Sequence, residues 1–231
     1  MDKGHRVGRP RFIAPTLYKT VRRLPGCGEF FYEVKHNGCR TVAVKESGKV
    51  TLFSSEGRAL EYSEPREAVR QLKAKSVVID GELIVIDQHG QAQPLRTASR
   101  NGRIRFRAFD LLHLNNRDVM HEPIERRKER LCTVTLDSSM LFSPALHCEA
   151  ELLIEEMKHL SLGMVVAKRK GSAYEAGKRS GSWLRLQISA INQDRDEASR
   201  NPDANDPALI LSLSRCEPNS GDQQVRGTNV T

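Results

Sequence analysis

The sequence lacks closely spaced cysteines, long apolar runs and, over most of its length, acids to match its bases. Its five cysteines, Cys27, Cys39, Cys132, Cys148 and Cys216, are odd in number and far apart, which argues against a disulfide framework and a zinc site and leaves them as reduced thiols. No run approaches the ~20 apolar residues that span a bilayer. The opening Met1-Asp2-Lys3-Gly4-His5-Arg6 has no apolar segment behind it of the kind a secretory signal needs. A cytoplasmic protein with no membrane contact is therefore expected.

The formal net charge is +8 and unevenly spread. Residues 188–231 hold seven acids against four arginines, which leaves +11 on residues 1–187. A unit with that balance draws polyanions, nucleic acid first among them. At 231 residues the chain suits one domain, or one with a small appendage, and can bury a proper core.

Taken in order, residues 1–11 are basic and read as a flexible lead-in, and residues 15–25 as a connecting segment. Residues 29–34, 40–46 and 49–53 carry β-forming side chains and predict strands, the last two joined by a tight turn at Ser47-Gly48. Residues 65–72 predict a helix with proline in its first turn and Ala68, Val69 and Leu72 on one side. Residues 77–86 read as two apolar strand pieces broken by an acidic turn at Asp80-Gly81-Glu82, whose carboxylates, if buried, need a metal, a cation or a ribose hydroxyl. Residues 88–103 read as a polar surface loop holding Arg96, Arg100 and Arg103. Residues 105–109 alternate charged and apolar side chains, predicting a half-exposed strand that turns Phe109 inward. Residues 123–131 begin a charged helix expected to be mostly solvated, whereas residues 149–160, with Leu153, Met157 and Leu160 on one stripe, predict a core-packing helix. Residues 163–168 form an apolar strand ending in Lys168-Arg169.

The richest stretch chemically is Glu33-Val34-Lys35-His36-Asn37-Gly38-Cys39-Arg40. Lys35 sits at a strand end before a glycine turn. A lysine amine becomes a nucleophile only when deprotonated, and burial beside another cation, here Arg40, favours that form. The stretch resembles the K-x-D-G-x-R motif of the covalent nucleotidyltransferases, which include ATP-dependent DNA ligases, RNA ligases and mRNA capping enzymes. Asp80-Gly81-Glu82, Phe109-Asp110-Leu111-Leu112, Val165-Val166-Ala167-Lys168-Arg169, and the run from Ser172-Ala173-Tyr174 through Gly177-Lys178-Arg179-Ser180 to Trp183 follow in the family's order. As a set, over roughly residues 10–187, they look most like the bacterial repair-type ATP-dependent DNA ligases.

The resemblance implies an α+β fold of twisted, mostly antiparallel sheets with flanking helices around an ATP cleft, an ATP-grasp-like adenylation domain at residues 12–187. It implies ATP and Mg2+ as cofactors, nicked or broken DNA ends as partner, and DNA-repair proteins as further partners. Lys35 would be the catalytic nucleophile. Glu33 and Phe109 would hold adenine, Arg40 and Glu82 the ribose, phosphate or metal, with Glu82 as the metal ligand, and Lys168 and Arg185 the α-phosphate.

Six positions depart from the family pattern. Asn37 replaces its aspartate, Ser55 an arginine after the serine, Gly163 its metal-linked glutamate (Leu162 if the strand is shifted by one residue), Met164 the glycine that follows, and Arg185 and Gln187 the two lysines after the tryptophan. Residues 188–231 are polar and read as a disordered tail from which the OB-fold of these ligases could not be made. A non-catalytic nucleic-acid-binding remnant and an enzyme of RNA ends stay open beside the DNA-ligase reading.

Overall fold

A computed structural model describes residues 10–93, 95, 102–160 and 162–188. In chain order the elements are β1 (Lys19–Thr20), β2 (Phe30–Val34), β3 (Cys39–Glu46), β4 (Lys49–Ser54), β5 (Ala59–Leu60), α1 (Ser63–Arg70), β6 (Ser76–Ile86), β7 (Ala92–Gln93) and β8 (Arg103–Leu114). Then follow β9 (Arg117–Asp118), α2 (Ile124–Thr135), β10 (Leu141–Phe142), α3 (Ala150–His159), β11 (Met164–Arg169) and β12 (Trp183–Gln187). One sheet has the order β1-β12-β11-β2 and the other β10-β8-β6-β3-β4-β5, with β7 added beside β6 and β9 beside β8. Only the β1–β12 and β10–β8 pairings are parallel. The fold is α+β and mostly antiparallel, as the sequence implies.

Period-two alternation divides the apolar residues among three clusters. Phe31 and Trp183 of the smaller sheet meet Val42, Val44, Val78, Phe109 and Leu112 of the larger one, so the sheets face each other through these side chains. The outer face of the smaller sheet, with Phe30, Tyr32, Val165 and Ala167, packs on Leu153 and Met157 of α3. The outer face of the larger sheet, with Ala43, Val77, Ile79, Phe106 and Leu111, packs on Ala68 and Val69 of α1 and Leu131 of α2.

The structure corrects the sequence expectations for β6, β8 and α2. Residues 77–86 do not break at Asp80-Gly81: β6 is one strand of eleven residues. Gly81 is there for proximity, because a Cβ on it would lie 2.5 Å from the Arg107 carbonyl oxygen and 2.7 Å from the Phe106 ring. Residues 105–109 are not half-exposed, since β8 is buried from Phe106 to His113 between two strands and two layers of side chains. Its pairing with β6 skips Leu112 and Phe109, two bulges that turn these residues toward the facing sheet. Finally, α2 is not mainly solvated. Ile124, Arg127, Lys128, Leu131 and Thr135 make up its buried face.

The segment 15–25 is not wholly a connection, for Lys19 and Thr20 pair with Leu184 and Arg185. Residues 1–9, Arg96, Arg100 and residues 189–231 lie outside the described residues, and with them the expected lead-in, much of the polar loop, the tail and the statement about an OB-fold. Ile188 is buried and donates its N–H to the Gly163 carbonyl at 2.8 Å.

Candidate active site

The two facing sheets present their polar side chains to one another near the end of β2 and the middle of β6. On the smaller sheet, Glu33 pairs in register with Val166, and Phe31 with Lys168, so alternation points Phe31, Glu33, Val166 and Lys168 inward together. On the larger sheet Arg40 is the register partner of Glu82, and Asp80 lies two residues before it on the same side of β6. The cleft between them takes in about 250 Å³, counting space open to solvent, and is lined by Glu33, Lys35, Glu82, Phe109 and Lys168, with Tyr18, Val34, Ser143 and Val166.

Lys35 sits just past β2. Its Nζ donates to the His36 carbonyl at 3.0 Å and to Glu82 Oε2 at 3.3 Å. Its side chain is 17% exposed and that of Glu82 3%, so the amine is reachable and the carboxylate is not. The turn that follows can lie on β6 only because residue 38 is glycine: a Cβ there would fall 2.4 Å from the Leu83 carbonyl oxygen. His36 is held neutral, its imidazole pushed down to about 3 by burial and by the Arg107 and Lys35 charges.

The cation expected to act on Lys35 is elsewhere. Arg40 Nε and Nη2 donate to Asp80 Oδ1 and Oδ2 at 3.1 and 2.7 Å. Its guanidinium carbon lies 4.9, 5.4 and 5.3 Å from the ring centres of Tyr18, Phe109 and Trp183. Asp80 also accepts from the Tyr174 hydroxyl at 2.6 Å. The group that faces the Lys35 amine is Glu82, because Arg40 is drawn to the deeper carboxylate and its ring cage.

Glu33 is buried under two lysines. Lys128 Nζ lies 2.7 Å and Lys168 Nζ 2.9 Å from its Oε1, and Ser143 Oγ donates to Oε2 at 3.0 Å. Burial opposes the charge, but these cations win and hold the carboxyl below its usual range. Lys168, beneath the rings of Trp183 (4.2 Å) and Phe109 (4.7 Å), is pushed down to about 8 by burial even with Glu33 beside it.

Of the sequence-predicted residues, Glu33, Lys35, Glu82, Phe109 and Lys168 meet in the cleft, and Arg40 lies behind Phe109. Arg185 is not among the lining residues. It stands two residues beyond Trp183 on the same side of β12, with Nη2 donating to Thr20 Oγ1 at 3.1 Å. Asn37 is exposed in the turn. Two of the departures from the family pattern touch one another, since Gln187 Nε2 donates to the Gly163 carbonyl at 3.1 Å.

Sequence reading missed Tyr18, Arg107, Lys128 and Ser143. Lys128 was findable: on a helix begun at Ile124 it stands at i+4 and Leu131 at i+7, the buried stripe. Arg107 carries no such signal, because a strand buried on both faces has no exposed side to mark by alternation.

A divalent metal needs several oxygen ligands free of other partners. Glu82 Oε2 faces Lys35, and Oε1 accepts from the His36 N–H at 3.3 Å and lies 3.6 Å from Arg107 Nη1. Glu33, Asp80 and Asp110 each have cationic partners as well. Residue 163 offers no carboxylate. Among the described residues no three His, Cys, Asp or Glu side chains are grouped to hold a metal, so the donors present do not fit a resident cation.

The family model described as "ATP dependent DNA ligase domain" matches residues 14–187. The multifunctional non-homologous end joining protein LigD of Pseudomonas aeruginosa is 31% identical over 194 residues, covering 80% of this chain and 23% of the relative. The LigD repair protein of Mycobacterium tuberculosis is 32% identical over 180 residues, covering 75% and 24%. This chain thus spans about a quarter of the length of these curated relatives. A solved structure of mycobacterial DNA ligase D complexed with ATP and MES superposes with a TM-score of 0.67 at 27% identity, over 76% of this chain and 60% of that one. The ligase domain of M. tuberculosis LigD gives 0.66 at 27% identity, over 75% and 58%.

Proposed function

The chain belongs to the ATP-dependent DNA ligase family, and from that premise we propose that residues 12–187 act as its adenylation unit, with Lys35 as the nucleophile. In this reading the Lys35 amine attacks the α-phosphorus of ATP. An N–P bond forms, the bond from phosphorus to the pyrophosphate oxygen breaks, and the nitrogen gives up its proton, leaving AMP on Lys35. AMP then passes to the 5′-phosphate of a nick or broken DNA end, where a 3′-hydroxyl displaces it.

The observation that carries the reading is the meeting of a reachable lysine, an aromatic face and a second, buried ammonium in one cleft. Phe109 offers its ring to adenine, which stacking binds without hydrogen bonds, and Glu33 offers acceptor oxygens beside it. Glu82 and Arg40 stand on the ribose and phosphate side. Lys168 and, from the rim, Arg185 are assigned to the α-phosphate, where a positive charge meets the charge that builds as phosphorus is attacked. Magnesium is assigned only as the counter-ion ATP brings with its phosphates. Nicked or broken DNA is the assigned partner, with repair proteins acting on the same ends and the cytoplasm as the compartment.

The test is incubation with α-labelled ATP and magnesium, followed by mapping of any label on the protein. Label is expected on Lys35 and absent from Lys35→Ala, and label that survives in Lys35→Ala overturns the assignment.

A further inference from the structure

Arg107 is buried on β8 and has no part in the reading above. Its Nη1 donates to the Val34 carbonyl at 2.7 Å and lies 3.6 Å from Glu82 Oε1. That carbonyl shares a peptide unit with the Lys35 N–H, which donates to the Met164 carbonyl at 2.9 Å. The peptide unit entering Lys35 is thus held at its oxygen by the larger sheet and at its nitrogen by the smaller one. The next unit is held too, because Glu82 Oε1 accepts the His36 N–H, and Glu82 is itself steadied by Arg107.

We propose that Arg107 is a positioning residue that sets the backbone on both sides of Lys35, and so the aim of its amine, by clamping the Val34 carbonyl and the Glu82 carboxylate together. The guanidinium suits the task because it is planar, stays charged when buried and reaches two acceptors at once. Among the described residues no other side chain donates to the Val34 carbonyl. Its effect on rate rests on the reading of Lys35 as the nucleophile, but its effect on the backbone does not.

The experiment compares Arg107→Leu and Arg107→Lys with the wild-type chain in two measurements. In single-turnover labelling with α-labelled ATP, Arg107→Leu should lower the maximal rate by ~10- to 100-fold while half-saturating ATP stays within ~3-fold, since misaiming a nucleophile costs rate rather than ground-state binding. Arg107→Lys should recover part of the rate, because its ammonium still reaches one acceptor. In hydrogen exchange, the Lys35 and His36 amides should lose protection in Arg107→Leu while the amides of α3, remote from the clamp, keep theirs. Should Arg107→Leu fail to melt cooperatively, Arg107→Gln, which keeps one donor, is judged by the same criteria. A wild-type maximal rate in a folded variant, a loss confined to ATP affinity, or unchanged protection at Lys35 and His36 overturns the inference. A wild-type chain that takes no label overturns the adenylation reading instead, and hydrogen exchange alone then decides the role of Arg107.

Discussion

Glu33 and Lys168, on neighbouring strands of the smaller sheet, form an ion pair of 2.9 Å with almost no exposure on either side. Lys128 reaches the same oxygen from α2 on the far side, so one carboxylate is shared by two ammonium groups.

This sharing gives stability a defined pH dependence. Burial holds the folded Lys168 at about 8, below its ordinary 10.5. Between those values the unfolded chain binds the extra proton and the folded chain does not, so stability from this group rises with pH across the window. Below about 8 both states are protonated and the term is flat. Urea unfolding of the wild-type chain and of Lys168→Met at pH 7, 8, 9 and 10 should show the wild type gaining on the variant above pH 8. A constant difference would contradict it.

Asp110 and Arg127 make the deepest ion pair, fully buried, with Nε–Oδ1 and Nη2–Oδ2 distances of 2.8 and 2.9 Å. Arg127 also donates to the Glu122 and Ser172 carbonyls at 2.6 and 2.9 Å. Asp110→Ala would strand a buried guanidinium and should cost roughly 3–5 kcal/mol. The exposed Lys73–Asp137 pair is equally short at 2.7 Å, yet Asp137→Ala should leave stability almost unchanged, because water screens the pair. Denaturant midpoints of the two variants check the contrast, and equal losses would refute it.

Gly163 has room for a side chain. A Cβ there would meet only Gln187 Nε2, at 3.5 Å. Gly163→Glu should therefore fold normally and label faster at limiting magnesium. Joined with Gln187→Lys it should show favourable coupling in a double-mutant cycle, because the new charges would face one another. Leu162→Glu is the control. Leu162 packs against the α3 cluster, so a charge there should lower the melting temperature. If Gly163→Glu unfolds the chain while Leu162→Glu does not, the placement of this strand is wrong.

Much of the fold was legible in local patterns. The strands ending at Val34 and at Lys168-Arg169 and the helix carrying Leu153 and Met157 all announce themselves by period. What stayed hidden depends on contacts between distant segments. Asp80-Gly81 has the local chemistry of a turn, and only the approach of Phe106 and Arg107 shows why a glycine lies inside a strand. Arg127 and Lys128 look like surface charges until Asp110 and Glu33, remote in sequence, are brought against them. Motif order pointed to the cleft residues, but assigning Arg40 to Lys35 by nearness in sequence overlooked Asp80 on the adjoining strand. Both Gly163 and Gln187 were visible as departures, but not their contact with each other.

The carboxylates around the cleft come with their own cations: Glu33 with Lys128 and Lys168, Asp80 with Arg40, Glu82 with Lys35 and Arg107, Asp110 with Arg127. If the cleft takes ATP as proposed, the triphosphate would meet few unclaimed charges and would be received by exchange, each new contact loosening an old one. Exchange of this kind changes little in net charge and leaves few counterions to be released. On the proposed reading, nucleotide affinity should respond only weakly to ionic strength, while DNA binding titrated between ~50 and ~200 mM salt should fall steeply. One molecule would then read salt with one surface and ignore it with the other.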